Sequence, residues 1–263
     1  MQNEIRDDSS TLIALGVLAF ILADVTHEAL GHGIAMLILG PKPTLITTCY
    51  ISSGGGEESR WIPAAGGLAN ASVGLIALLC LRVLKLAAPI WRYFLVLAAA
   101  FNLFLAAGYP AYSGVALFGD WAAVISGLQP SWLWRGVLIL SAFATYYFSL
   151  VLIGRSIRPF LGSDDSQSLQ RLRFMTRIPF LTALVVAFLG AIPNPQGWRM
   201  VFSAALPSAF ASFGLTRLRH YALSSSKNDE PLKSIRRSSI WIAFAMIVLA
   251  LFIAVLGRGL RLP

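Results

Sequence analysis

The sequence predicts an all-α fold: a polytopic bundle of about six to seven membrane-spanning helices, with a small β-prone loop after the first. Three observations predict it. Hydrophobic residues make up 57% of the 263 and charged residues only 13%, with a mean hydropathy of +0.71. A soluble domain carries roughly 25% charged residues, so this chain cannot cover a water-facing surface. Its apolar residues fall in continuous runs close to the about 20 that cross a bilayer core, without the alternation of a membrane barrel. A soluble globular domain, a disordered chain and a disulfide-built secreted module are excluded. Two cysteines, Cys49 and Cys80, define no framework. The net charge of +9 reads as basic loops facing anionic lipid, which makes the bilayer the expected partner and nucleic acid an unexpected one.

Seven apolar segments follow in order: 11–39, 62–84, 91–108, 131–153, 178–193, 199–216 and 239–257. The fifth and sixth are short and separated only by 193–198, so they read either as two spans or as one re-entrant pair. Met1–Ser10 is acidic and lacks the basic start of a signal peptide, so the first segment reads as a retained helix. Between the first two helices, Thr44–Ser52 is β-prone and ends in Gly54-Gly55-Gly56; it reads as a surface hairpin or as an edge for an extended substrate. Trp91, Trp132, Trp134, Trp198 and Trp241 fall at segment ends, as an interfacial belt would.

The chain divides into 1–130, which carries the ionisable residues of a metal site, and 131–263, which adds further helices and basic loops. Lys and Arg concentrate around 82–92, 154–177 and 217–237, loops that share one side if there are seven spans. That side is expected to be cytoplasmic, with the N-terminus inside. The first helix then carries its polar residues across the membrane: His27 is 16 residues past Thr11, about 24 Å along a helix.

Those polar residues are Asp24, His27, Glu28 and His32. A charge at a helix centre costs on the order of 2.5–3.5 kcal/mol, so four ionisable groups together imply a use. Imidazoles ligate zinc, and a carboxylate beside them can act as general base toward water. The usual His-Glu-x-x-His places its ligands four apart, offset by about 40°. Here the histidines are five apart, about 140° on a regular helix. A π-helical turn, or loosening at Gly31 or Gly33, would bring them into line. A rival arrangement needs no distortion: Asp24, Glu28 and His32, each four apart, form one stripe that could bind a metal or relay protons.

His27-Glu28-Ala29-Leu30-Gly31-His32-Gly33 resembles the zinc motif of the site-2 protease family of intramembrane metalloproteases, with one extra residue before Gly31-His32. Ala65-Gly66-Gly67-Leu68-Ala69-Asn70 is similar to the family's Gly-Pro-x-x-Asn helix start, with Gly67 where Pro is common. Phe101-Asn102-Leu103-Phe104 followed by Tyr109-Pro110 resembles the stretch leading to the family's third ligand, an Asp. Ser113-Gly114 stands where its Asp-Gly pair would fall, and the first acid beyond is Asp120. The likeness covers about residues 15–125.

The resemblance implies zinc held by His27, His32 and Asp120, with Glu28 as the catalytic base. It implies a transmembrane peptide as substrate. Asn70 and Asn102, polar residues in apolar helices, read equally as interhelical hydrogen-bonders or as groups that bind substrate backbone or fix the site. Seven-span topology agrees on Asp120, because the loops after the first and third helices lie on one side and Asp120 is the only ligand-type acid in 109–134. Asp120 could instead cap the segment 121–128. The expected function is therefore a zinc-dependent intramembrane hydrolase. Its rivals are a proton-coupled transporter using Asp24, Glu28 and His32, and an inactive membrane scaffold. A transporter should show two corresponding broken helices, and only the N-terminal one is visible.

Overall fold

A computed structural model describes residues 7–55, 59–84, 88–161, 166–223 and 234–262. The chain is an all-α bundle with a three-stranded sheet at one end. Among the described residues, six helices are long and apolar enough to cross a membrane. They are α1 (Ser9–Leu39), α2 (Trp61–Val83), α3 (Pro89–Ala116), α5 (Ser131–Phe160), α6 (Ser166–Ala191) and α9 (Ser239–Gly257). Short helices α4 (Asp120–Ile125) and α8 (Arg219–Ala222) join them. A seventh long segment, α7, covers 198–217 in successive α, π and 3-10 stretches. The protein is thus a multi-pass membrane protein.

The helices of both halves share one apolar core. Leu12, Leu15 and Phe20 of α1 meet Val96, Phe101 and Phe104 of α3, with Met175 and Val186 of α6 and Phe252 of α9. Away from their buried polar residues, α1 and α3 are therefore apolar nearly all round, as central helices must be. The outer helices bury far less. Leu140 and Phe143 of α5 are both 70% exposed, and Ile240 of α9 is 82% exposed, faces that suit hydrocarbon and not water.

Contacts fix the two ends. At one end the Asp8 amide donates to Ile235, Tyr93 donates to the Met175 carbonyl, and Arg171 grips Asp7 at 2.7 and 2.9 Å. This end carries Arg82, Arg92, Arg155, Arg158, Arg173, Arg177, Arg219, Arg236 and Arg237. At the other end lie α4 and the sheet, in which β1 (Pro43–Ile46) pairs antiparallel with β2 (Ile51–Ser53) and with β3 (Leu260–Arg261).

α7 runs between the ends. Tyr112 donates to the carbonyl of Ser203 near its start, and Arg158 reaches Tyr221 just past its finish. The stretch 178–216 is therefore two antiparallel segments along the bundle, of which only α6 is among the six helices long and apolar enough to cross a membrane. Three segments run well past the ranges read from hydropathy; one is α5, which reaches Phe160 instead of ending at 153. α3 continues through Pro110 to Ala116, since a proline's missing donor is tolerated where neighbouring helices pack on it. α6 begins at Ser166, its first turns being too polar to register in an apolar window.

Candidate metal centre

The site forms where α1 changes its winding. Thr26–Gly33 is π-helical, flanked by regular α-helix on both sides. This lower winding brings residues five apart close to alignment. The rings of His27 and His32 stand 4.8 Å apart between centroids, at 90° to each other. Packing makes room for the expanded turn. A Cβ on Gly31 would lie 2.5 Å from the Gly66 backbone, and one on Gly66 would lie 2.6 Å from His32 Nε2. Only glycine at both places lets α1 and α2 approach this closely.

Each imidazole is anchored through its Nδ1. That of His27 lies 2.8 Å from Asn70 Oδ1, and that of His32 lies 2.8 Å from the Ile62 carbonyl. Both partners are acceptors, so each Nδ1 donates; each Nε2 donates to Asp120 when it carries a proton, and is the nitrogen that would give its lone pair to a metal. Both Nε2 atoms face Asp120 Oδ2, at 2.9 Å from His27 and 3.2 Å from His32. The three ligand-type atoms lie within 4.8 Å of one another.

Asp120 opens α4, and Gly119 before it takes a φ of 86°, a conformation that favours glycine. The turn delivers the carboxylate to the histidines from the sheet end. Burial acts to raise the Asp120 carboxyl, but the bonds to His27 and His32 outweigh it and hold it well below the usual carboxylate range.

Glu28, between the histidines in sequence, is buried, and its Oε2 has no hydrogen-bond partner. With Asp24 and His27 it lines a cavity closed by Leu105 and Tyr109 of α3, Thr48 and Cys49 of the β1–β2 loop, and Ala204, Ala205 and Ser208 of α7. Tyr109 packs edge-on against His27, centroids 5.4 Å apart.

Asn70 and Asn102 are fully buried. Asn70 Nδ2 donates to the Ala23 carbonyl and to Asn102 Oδ1, both at 2.8 Å, while Asn102 Nδ2 donates to Ala98. Their polar atoms are spent inside the chain, which suits fixing His27 better than holding a substrate. Asp24 does not join the three ligand-type groups. Cys49 also stands apart from them. Its thiol is pushed up to about 12 by burial, with Asp24 and Glu28 adding to the rise against a lowering bond from Thr48.

Sequence reasoning missed the Ile62 carbonyl, because a backbone acceptor leaves no trace in residue identity. It also missed Tyr109 as a wall of the site and the contribution of α7, whose alanines read as ordinary span. Comparison with known proteins returns no matching family model, no similar curated protein and no similar solved structure.

Proposed function

We propose that the protein is a zinc-dependent intramembrane hydrolase, a protease that cuts membrane-embedded peptides. The observation that carries this reading is the convergence of His27 Nε2, His32 Nε2 and Asp120 Oδ2 with each Nδ1 tied to an acceptor. Three lone-pair bearers aimed at one another repel unless a cation or shared protons lie among them. Two imidazoles and a carboxylate form a donor set that zinc favours, and three protein ligands leave a fourth position for chemistry. The residues present therefore fit zinc.

When bound, zinc supplies Lewis-acid polarisation of a peptide carbonyl and activation of water near neutral pH. The chain's own residues do the rest. Asn70 and the Ile62 carbonyl hold the two imidazoles in the tautomer and orientation that present Nε2. Glu28 Oε2, unpartnered and beside the site, accepts a proton from water and passes it on to the departing amine. Apolar walls from α3 and α7 exclude bulk water and strengthen each polar contact. The basic end faces the cytoplasm by the distribution of Arg and Lys, so the site lies toward the opposite surface.

The test is cleavage of transmembrane peptides by the purified, zinc-loaded protein beside its Glu28→Gln variant. The variant should keep zinc and lose cleavage by about 100-fold or more, the usual contribution of a general base. Equal cleavage by both would overturn the assignment.

A further inference from the structure

The cavity beside the site contains a carboxylate that the proposed chemistry does not use. Asp24 is 9% exposed, and its buried Oδ2 has no hydrogen-bond partner. It lines the same cavity as Glu28, whose Oε2 is likewise unpartnered and which is 7% exposed. Among the described residues, the lining contains no Lys or Arg. Thr48 does not answer the carboxylates, because its hydroxyl donates to the Gly190 carbonyl at 3.1 Å. Asn70 does not either, its amide being taken by Ala23 and Asn102. Two carboxyls that have lost water without gaining donors carry a large desolvation cost, and a cation with several donors is their natural complement.

We propose that this cavity binds a primary ammonium group of the substrate, with Asp24 as its main partner. An ammonium is a compact charge with three donors, able to meet Asp24 Oδ2 and a second acceptor at once. A hard divalent ion is the poorer match, since it seeks six or more oxygens and this cavity is walled largely by apolar groups. The inference rests on the proposed hydrolase and names its substrate class: peptides carrying a free amine near the bond to be cut. Asp24 precedes Glu28 by one turn, about 6 Å of helix rise, comparable to about two residues of extended peptide. The amine is either a free N-terminus or a Lys side chain, and both present the same group.

The probe is butylammonium chloride, with butanol as its neutral counterpart, titrated into the zinc-loaded protein and followed by ligand-observed NMR. Butylammonium should bind saturably and butanol should not. Asp24→Asn should weaken the amine by about tenfold or more, as loss of a charged hydrogen bond does, while zinc content stays unchanged. Ala204→Leu, which fills the cavity from the opposite wall with both carboxyls intact, should also block the amine, so the result does not depend on one variant folding. In cleavage assays, acetylation of the peptide N-terminus or replacement of Lys by norleucine identifies the source of the amine. Equal binding of butanol and butylammonium, equal amine affinity in Asp24→Asn, or indifference to both peptide changes would overturn the proposal. A wild-type protein that binds butylammonium but holds no zinc would instead sink the hydrolase reading.

Discussion

Gly66→Ala tests how tightly the helix pair sets the site. The new Cβ would lie 2.6 Å from His32 Nε2, 2.7 Å from His32 Cε1 and 2.8 Å from His27 Cε1, where ordinary contact begins at 3.4 Å. The closest approach is short by 0.8 Å, the difference between 3.4 and 2.6 Å. Neither ring can step aside freely. His27 is held by Asn70 and Asp120, and His32 by the Ile62 carbonyl and Asp120. Retreat of either ring stretches a buried hydrogen bond, and overpacking of this kind typically costs about 1–3 kcal/mol. Because the strain falls on the Nε2 atoms, zinc affinity should drop by about 10–100-fold, as when groups that orient metal ligands are removed. Competition against a chromophoric chelator reads the affinity, and thermal unfolding reads the stability. Gly67→Ala should be milder, since its nearest clash is 3.1 Å from Trp121 Nε1. Gly136→Ala meets nothing within 4 Å and serves as the neutral control. Unchanged zinc affinity in Gly66→Ala, with the control also unchanged, would refute the packing argument.

Asn70→Ala leaves His27 Nδ1 and the Ala23 carbonyl without their partner; zinc affinity should fall by about 10–100-fold, and chelator competition would show a normal value if Asn70 were merely helix glue. Cys49, with its thiol raised to about 12 by burial, should react with iodoacetamide far more slowly at pH 7.5 than a free thiol and accelerate as the pH rises; rapid labelling in a Cys80→Ser background would contradict the burial. Cysteine introduced at Ser52 of β2 should be labelled by a membrane-impermeant maleimide only from the side opposite the cytoplasm, and labelling from the cytoplasm alone would reverse the orientation.

Much of the fold was legible because composition leaves it little freedom. A chain this apolar must satisfy its backbone in helices, and its spans appear as runs. Their limits were less legible. Hydropathy stops at polar turns such as Gln167–Arg177, which continue α6 beyond the apolar layer, and at Pro110, which α3 passes through. β3 was invisible, since two residues carry no periodicity.

In the site, the five-residue spacing of His27 and His32 itself implied a wider turn, and the π-helix over Thr26–Gly33 lies there. Seven-pass topology placed the 109–134 loop beside α1, which singled out Asp120. What could not be read were relations between helices. The role of Asn70 depends on its depth relative to His27, and the Ile62 carbonyl has no side-chain signature. Asn70 and Asn102 read as interhelical hydrogen-bonders, as substrate binders or as fixing the site; Asn70 donates to Asn102 Oδ1 and the Ala23 carbonyl, and Asn102 donates to the Ala98 carbonyl.

The most direct measurement is metal content by mass spectrometry of the purified protein, beside His32→Ala and Asp120→Asn. Asparagine retains about the capping ability of aspartate, so the second variant removes the charged ligand while sparing the start of α4. If His27, His32 and Asp120 hold zinc, the wild type carries one equivalent per chain and both variants lose most of it. A wild-type protein without zinc, or full zinc occupancy in His32→Ala, would contradict the metal centre.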